Sequence, residues 1–311
     1  MPDSPFESPL GGGGLIVSAE AVDVGPLSAG GAGGTWESLR RQRTFLALLV
    51  LASVLSLIAI APALFAGWFG HGDPRDCDLA SSGLGPTAGH PFGFDIQGCD
   101  LYANVIYGAR PSLAIGLLVT VVSTAIAIVF GLLSGFYGGV LDAVLGRITD
   151  VFYGFPFVVG AIVFLTVIDR HNILTVSLAL AVFSWPLTAR VMRSAVVSTT
   201  NLDFVTAARA MRASNRRIMV RHILPNSIAP VVVVAALNFG AVIASEAALT
   251  FLGVGLQPPD ISWGLQLSTA QSYFAQSPHL LIFPALFLSI TVFCFLLLGE
   301  LVASALDPKG R

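Results

Sequence analysis

The chain has 311 residues, 55% of them hydrophobic and 11% charged, with a mean hydropathy of +0.81 and a formal net charge of −2. A soluble domain carries about 25% charged residues, so this composition excludes an ordinary water-soluble enzyme and points to an integral membrane protein. Three cysteines, Cys77, Cys99 and Cys294, are too few for a disulfide-built scaffold and lack zinc-ligand spacing.

Residues 1–39 are rich in Gly, Ala and Ser ("GGGG", "SAGGAGG"), with no Lys or Arg in the first 35. A secretory signal needs a basic start and a longer apolar core, so the segment reads as a flexible tail. "GGGG" lacks the Lys-Ser/Thr ending of a phosphate-binding loop, and the only lysine is Lys309. No ATP site of that kind is expected here, and no catalytic, cofactor or metal site is assigned.

A helix needs about 20 apolar residues to cross a bilayer core. Six charge-poor runs qualify as spans: Phe45 to Gly70, Ser112 to Gly138, Tyr153 to Ile168, Ile173 to Thr188, Ile228 to Phe251 and Leu280 to Leu298. The third is interrupted at Pro156, and Asp150 is expected to cap it. Loop charges set the orientation. With the amino terminus inside, 13 of the 16 basic residues lie on the cytoplasmic side: Arg40, Arg41, Arg43, Arg147, Arg190, Arg193, Arg209, Arg212, Arg216, Arg217, Arg221, Lys309 and Arg311. Arg75, Arg110 and Arg170 lie outside. The expected fold is therefore all-α, with six spans and both termini in the cytoplasm, over a membrane domain at 40–311.

Three connections are long enough to be functional. Residues 71–110 form an outer loop with Asp73, Asp76, Asp78, Asp95 and Asp100. A metal site drawn from His71 to Asp78 with His90 would mix hard and soft ligands at irregular spacing, and a solvated acidic loop is the better reading. Residues 255–278 form an outer segment, read as a short helix on the membrane surface with Trp263 at the interface. Residues 190–225 form an inner loop.

The inner loop holds "DFVTAARAMRASNRRIMVRHILPN", with five arginines. Asp203 can cap a helix whose first turn is Phe204, Val205 and Thr206. Phe204, Ala208 and Met211 then share a packing face, and Arg209, Arg212 and Arg216 a basic one. Ser214 can cap a second short helix with Ile218, Met219 and His222. Pro225 marks the start of the fifth span. Positive-inside charge beside anionic lipid is one reading. The regular spacing and the small residues favour a docking surface for a cytoplasmic partner. Nucleic acid is disfavoured, because no aromatic residues interleave with the basic ones.

This stretch resembles the cytoplasmic "EAA" loop of ABC importer permeases, through Ala207-Ala208 and Leu224-Pro225. "RHILPN", "HPFGFDIQGCDLYANVIYGARPSL", "SEAALTFLGVGLQPPDISWG" and the tail "LDPKGR" resemble the dipeptide/oligopeptide/nickel permease family, over about Arg40 to the end. The resemblance implies a type I importer permease in a bacterial cytoplasmic membrane. It would act with a second permease, two cytoplasmic ATPases that bind ATP and Mg, and an extracytoplasmic substrate-binding protein. The docking loop would then comprise Asp203, Phe204, Thr206, Ala207, Ala208, Arg209, Met211, Arg212, Ala213 and Ser214, with His222, Leu224 and Pro225 at the junction to the next span. Two positions depart from the family pattern, where Thr206 replaces Glu and Arg212 replaces Gly. Glu at 206 would complete a capping box from Asp203, and Gly at 212 would suit a left-handed turn. Either that turn is kept under strain or the first short helix runs on.

Cys99 stands where the family has Arg, so a Cys77–Cys99 disulfide would explain a paired gain. Two free thiols are the alternative. Glu246 lies within the fifth span and reads either as a gate or subunit-interface residue or as a simple interfacial one. Inward transport of di- or oligopeptides is the expected function. Nickel or haem import by the same kind of complex, an ion-coupled secondary transporter, and a membrane anchor or sensor are the alternatives.

Overall fold

The computed structural model describes residues 42–70, 72–168 and 170–306. The tail at 1–39, the first two basic residues, His71, and the final motif after Leu306 lie outside the described residues. The described part is helical, with only isolated bridges in place of strands. Helix α1 is Arg43–Ile60, followed after Ala61 by α2, Pro62–Ala66. Pro62 breaks the first expected span, since it has no N–H to continue the ladder. A loop then leads to α3, Leu101–Tyr137, the longest helix at 37 residues. Helices α4, Gly139–Gly154, and α5, Phe157–Val167, meet at 86°. Helix α6 is Ile173–Thr200. Helices α7, Asp203–Ala210, α8, Asn215–Ile218, and α9, Leu224–Ser227, form a compact element. Helix α10 is Ala229–Phe251, α11 is Trp263–Ala270, and α12 is His279–Leu306. Among the described residues, five helices are long and apolar enough to cross a membrane, or six if the bent α4–α5 pair counts as one span.

Several expected boundaries are corrected. The loop placed at 71–110 ends at Asp100, whose side chain accepts from the amides of Tyr102 and Ala103 and caps α3. The spans placed at 173–188 and 280–298 run on to Thr200 and Leu306. Charged residues at 190 and 193 delimit apolar runs, but a helix continues through them wherever backbone partners remain. The inner loop therefore begins at Asn201 rather than at Arg190. Asp150 caps nothing. It lies inside α4 and pairs with Arg190 at 2.7 Å.

In lipid, helices associate through close packing rather than through the hydrophobic effect. Helix α3 packs most extensively against α6, with further contacts to α10 and α1. Gly131 and Gly135 make the α3–α6 approach: a Cβ at either would meet Met192 or Val196 side chains and α6 carbonyls. Around this seam lie Ile115, Leu165, Val176 and Leu180, all fully buried. The outward faces of the long helices stay apolar and exposed, as with Val50, Leu117 and Phe293.

The two ends of the bundle differ. At one end the loop before α3 is knitted by a Cys77–Cys99 disulfide and by contacts from Ser277 Oγ to the Gly83 carbonyl and His279 Nε2 to the Phe94 carbonyl. Asp95 accepts from the Gln97 and Cys99 amides. Burial pushes its carboxyl above the usual range, while amides of Cys99, Gln97 and Gly98 oppose that shift. Trp263, expected at a membrane interface, is instead fully buried, with Nε1 donating to the Val105 carbonyl at 2.9 Å. That hydrogen bond satisfies the indole inside the protein, and the absence of a side chain at Gly108 leaves room for the ring. At the opposite end sits the compact element of α7 to α9.

Candidate functional site

Helix α6 leads into the α7–α9 element through Asn201 and Leu202. The element folds back on the bundle. Val205, Ala208, Ile218 and Ile223 are buried against Met192 and Val196 of α6 and Val231 of α10. Ser227 Oγ donates to Thr199 Oγ1 at 2.9 Å, tying the far end of the element to α6.

The cap of α7 differs from expectation. Leu202, in extended conformation and without a side-chain bond, occupies the N-cap, and Asp203 is the first helical residue. Asp203 still places a carboxylate beside the positive end of the helix. Thr206 is then the fourth helical residue, so a Glu there would not close a box on Asp203. The faces change as well. Val205 and Ala208 point inward, whereas Phe204 and Met211 are 40% and 77% exposed. Ala207 is exposed between them, so an apolar stripe of Phe204, Ala207 and Met211 faces away from the bundle.

Arg212 answers the question raised by its position. Its φ is +55°, the only positive φ at a non-glycine among the described residues. Helix α7 ends at Ala210, the Arg212 amide donates to the Arg209 carbonyl at 2.9 Å, and the Ala213 amide to the Ala208 carbonyl at 3.1 Å. These two bonds define a Schellman turn. Ala213 packs on the cluster that contains Ala208, completing the apolar contact of that motif. The glycine-type turn is kept with arginine in it. The expected basic face of Arg209, Arg212 and Arg216 is therefore split by the turn. All five arginines are exposed, and Arg209 lies over the Phe136 ring at 6.0 Å.

Ser214 accepts from the Arg217 amide and caps α8. The helix then widens into a π turn at Met219–Ile223, where the Leu224 amide reaches the Met219 carbonyl. Pro225 explains the widening, since it can donate no bond to a carbonyl one turn back. Pro225 opens the single turn α9 rather than the span; Pro230 sits in the first turn of α10. His222 is half-buried, and its carbonyl accepts from Asn226 Nδ2 at 2.6 Å.

Glu246, the gate or interface candidate, lies in this chain's own interior. It is fully buried, and Thr250 Oγ1 donates to its Oε1 at 2.9 Å while accepting from the Leu256 amide at 3.1 Å. It therefore anchors the chain leaving α10, a role that its sequence position did not reveal. The ion pairs Arg190–Asp150 and Arg193–Asp142 were also missed, because their partners are 40 and 51 residues apart.

Residues 127–311 match the family described as binding-protein-dependent transport system inner membrane component. The chain is 37% identical over 275 residues to a glutathione transport system permease protein GsiD of Escherichia coli (strain 536), covering 88% of this chain and 89% of that protein. It is 35% identical to the oligopeptide transport system permease protein OppC of Haemophilus influenzae, covering 88% and 86%. It is 34% identical to the dipeptide transport system permease protein DppC of Alkalihalophilus pseudofirmus, covering 89% of each. Its fold is similar to a chain in an inward-facing structure of the MetNI methionine ABC transporter. There the TM-score is 0.53 and the identity 20%, covering 65% of this chain and 96% of that one.

Proposed function

The chain belongs to the binding-protein-dependent transport system inner membrane components, and on that premise we propose that it carries di- and oligopeptides inward, glutathione-sized peptides included. It is a permease subunit of an ABC importer and a multi-pass protein of the cytoplasmic membrane. Its partners are a second permease, two ATPases that bind ATP and Mg, and an extracytoplasmic binding protein. Hydrolysis takes place in the ATPases, and this chain supplies half of the pathway and a docking surface. The α7–α9 element faces the cytoplasm, and the disulfide-closed loop faces out.

The observation that carries the docking role is the outward stripe of Phe204, Ala207 and Met211, on an element that also exposes five arginines and packs onto α6. Exposed apolar anchors together with arginines are enriched in protein-docking patches. Nucleotide-driven closure of the ATPases would move this element and α6 with it.

The test is the assembled complex reconstituted in liposomes. Trialanine and glutathione are expected to stimulate ATP hydrolysis and to accumulate inside. Uptake of nickel or haem with no response to either peptide would overturn the cargo. Phe204→Glu is expected to release the ATPases on purification, and their unchanged retention would overturn the docking role.

A further inference from the structure

Helix α4 lies between two joints. Gly138 separates it from α3, with positive φ there and at the first helical residue Gly139, and the 86° break at Phe155 and Pro156 separates it from α5. Its C-terminal end packs through Phe152 against Trp185 and Phe183 of α6. Ion pairs add to that packing along the rest of the helix. A cavity of about 540 Å³ opens between α3, α4 and α6, lined by Ser134, Asp142, Thr149 and Arg193 among others. Across it run two ion pairs. Arg193 makes a two-pronged contact with Asp142, with Nε and Nη2 each 2.6 Å from a carboxylate oxygen. Arg190 reaches Asp150 at 2.7 Å and lies 4.1 Å over the Tyr153 ring.

We propose that Asp142, Asp150, Arg190 and Arg193 form a clasp that makes α4 move with α6, so that motion of the docking element reaches α4. The inference rests on the docking role of α7–α9. Met192 and Val196, on the same stretch of α6 as the two arginines, are the residues that seat Val205 and Ala208 of the docking element. One stretch of α6 thus holds the docking element by apolar packing and α4 by charge. The clasp adds little to stability, because exposed ion pairs contribute little: Arg193 is 46% and Arg190 45% exposed. Its value is geometric, since a forked guanidinium–carboxylate contact fixes distance and orientation together. Without the clasp, α4 would be held to α6 through Phe152 at its C-terminal end, leaving the half with Asp142 to shift against α6. These are positioning residues, since nothing transported needs to touch them.

Spin labels at Val144→Cys on α4 and Leu79→Cys in the outer loop report the motion in the assembled complex. Both positions are exposed, and Cys294 is buried. The label distance is measured with and without vanadate-trapped ATP. The intact clasp is expected to give a trapping-dependent shift. Arg193→Asp and Asp142→Arg are each expected to lose the shift while ATP hydrolysis persists, and the two together to restore it. Arg193→Lys keeps the charge without the fork, and is expected to reduce the shift even if the reversed variants assemble poorly. A full shift in the single variants, or no recovery in the double, would overturn the proposal. ATPases that fail to copurify with the wild-type chain would instead overturn the docking role beneath it.

Discussion

Arg212→Gly is expected to stabilise the docking element, the reverse of what a glycine does in a helix. Arg212 holds φ at +55°. A side chain in that region costs roughly 1–2 kcal/mol, because its Cβ crowds the following carbonyl. Glycine removes that crowding but gives the unfolded chain back about 0.4–1 kcal/mol of conformational freedom. The net gain is about 0.5–1 kcal/mol, a local opening slowed roughly two- to fivefold. Hydrogen exchange of a peptide spanning α7 reads this directly, since the amides of Met211, Arg212 and Ala213 are bonded to carbonyls of Ala207, Arg209 and Ala208. Arg212→Ala is the control. It removes the charge and keeps the Cβ, so its exchange should match the wild type. Ala210→Gly, inside the helix, should exchange faster by a similar factor. If the Gly and Ala variants at 212 exchange alike, the left-handed turn is not held in solution and the strain argument fails.

Replacing Cys77 and Cys99 together by Ser should lower stability by about 3 kcal/mol, since the bond closes a loop with a sequence separation of 22. An unchanged melting temperature for the purified complex would count against that. Gly131→Ala should cost about 1–3 kcal/mol by driving a Cβ into Met192 and the Ala189 carbonyl. Gly146→Ala meets open space and should not destabilise, so equal losses in the two variants would refute the close-packing account.

The all-helical membrane fold and the position of the basic element were legible, because both are written in local patterns: apolar runs and clustered arginines. Helix ends were not. A charged residue ends a hydrophobic run but not a helix, so α6 was cut short before Arg190 and α3 was begun too late, after Arg110. The caps were half legible. Ser214 caps α8, but Asp203 yields the α7 cap to Leu202, which offers no side-chain oxygen. The packing face of α7 was half legible: Ala208 does meet α6, but its partner there is Val205, and Phe204 and Met211 face outward. Contacts between distant segments carried no local signal. Neither the clasp nor the burial of Trp263 against Val105 could be read from spacing.

The misread ends bear on how the protein works. At about 1.5 Å per residue, the 37 residues of α3 extend about 55 Å and the 28 of α6 about 42 Å. A bilayer core is about 30 Å thick, so both helices overrun it. On α6 the overrun is about 12 Å, or about eight residues, which placed past the membrane carries Arg193 and Val196, with Arg190 and Met192 at its edge. A flexible loop from Arg190 to Pro225 would absorb a displacement of its docking face before it reached the membrane. On the proposed docking role, a helix that crosses the bilayer and continues to Thr200 would pass that displacement on, with Asn201 and Leu202 as the short joint between α6 and α7.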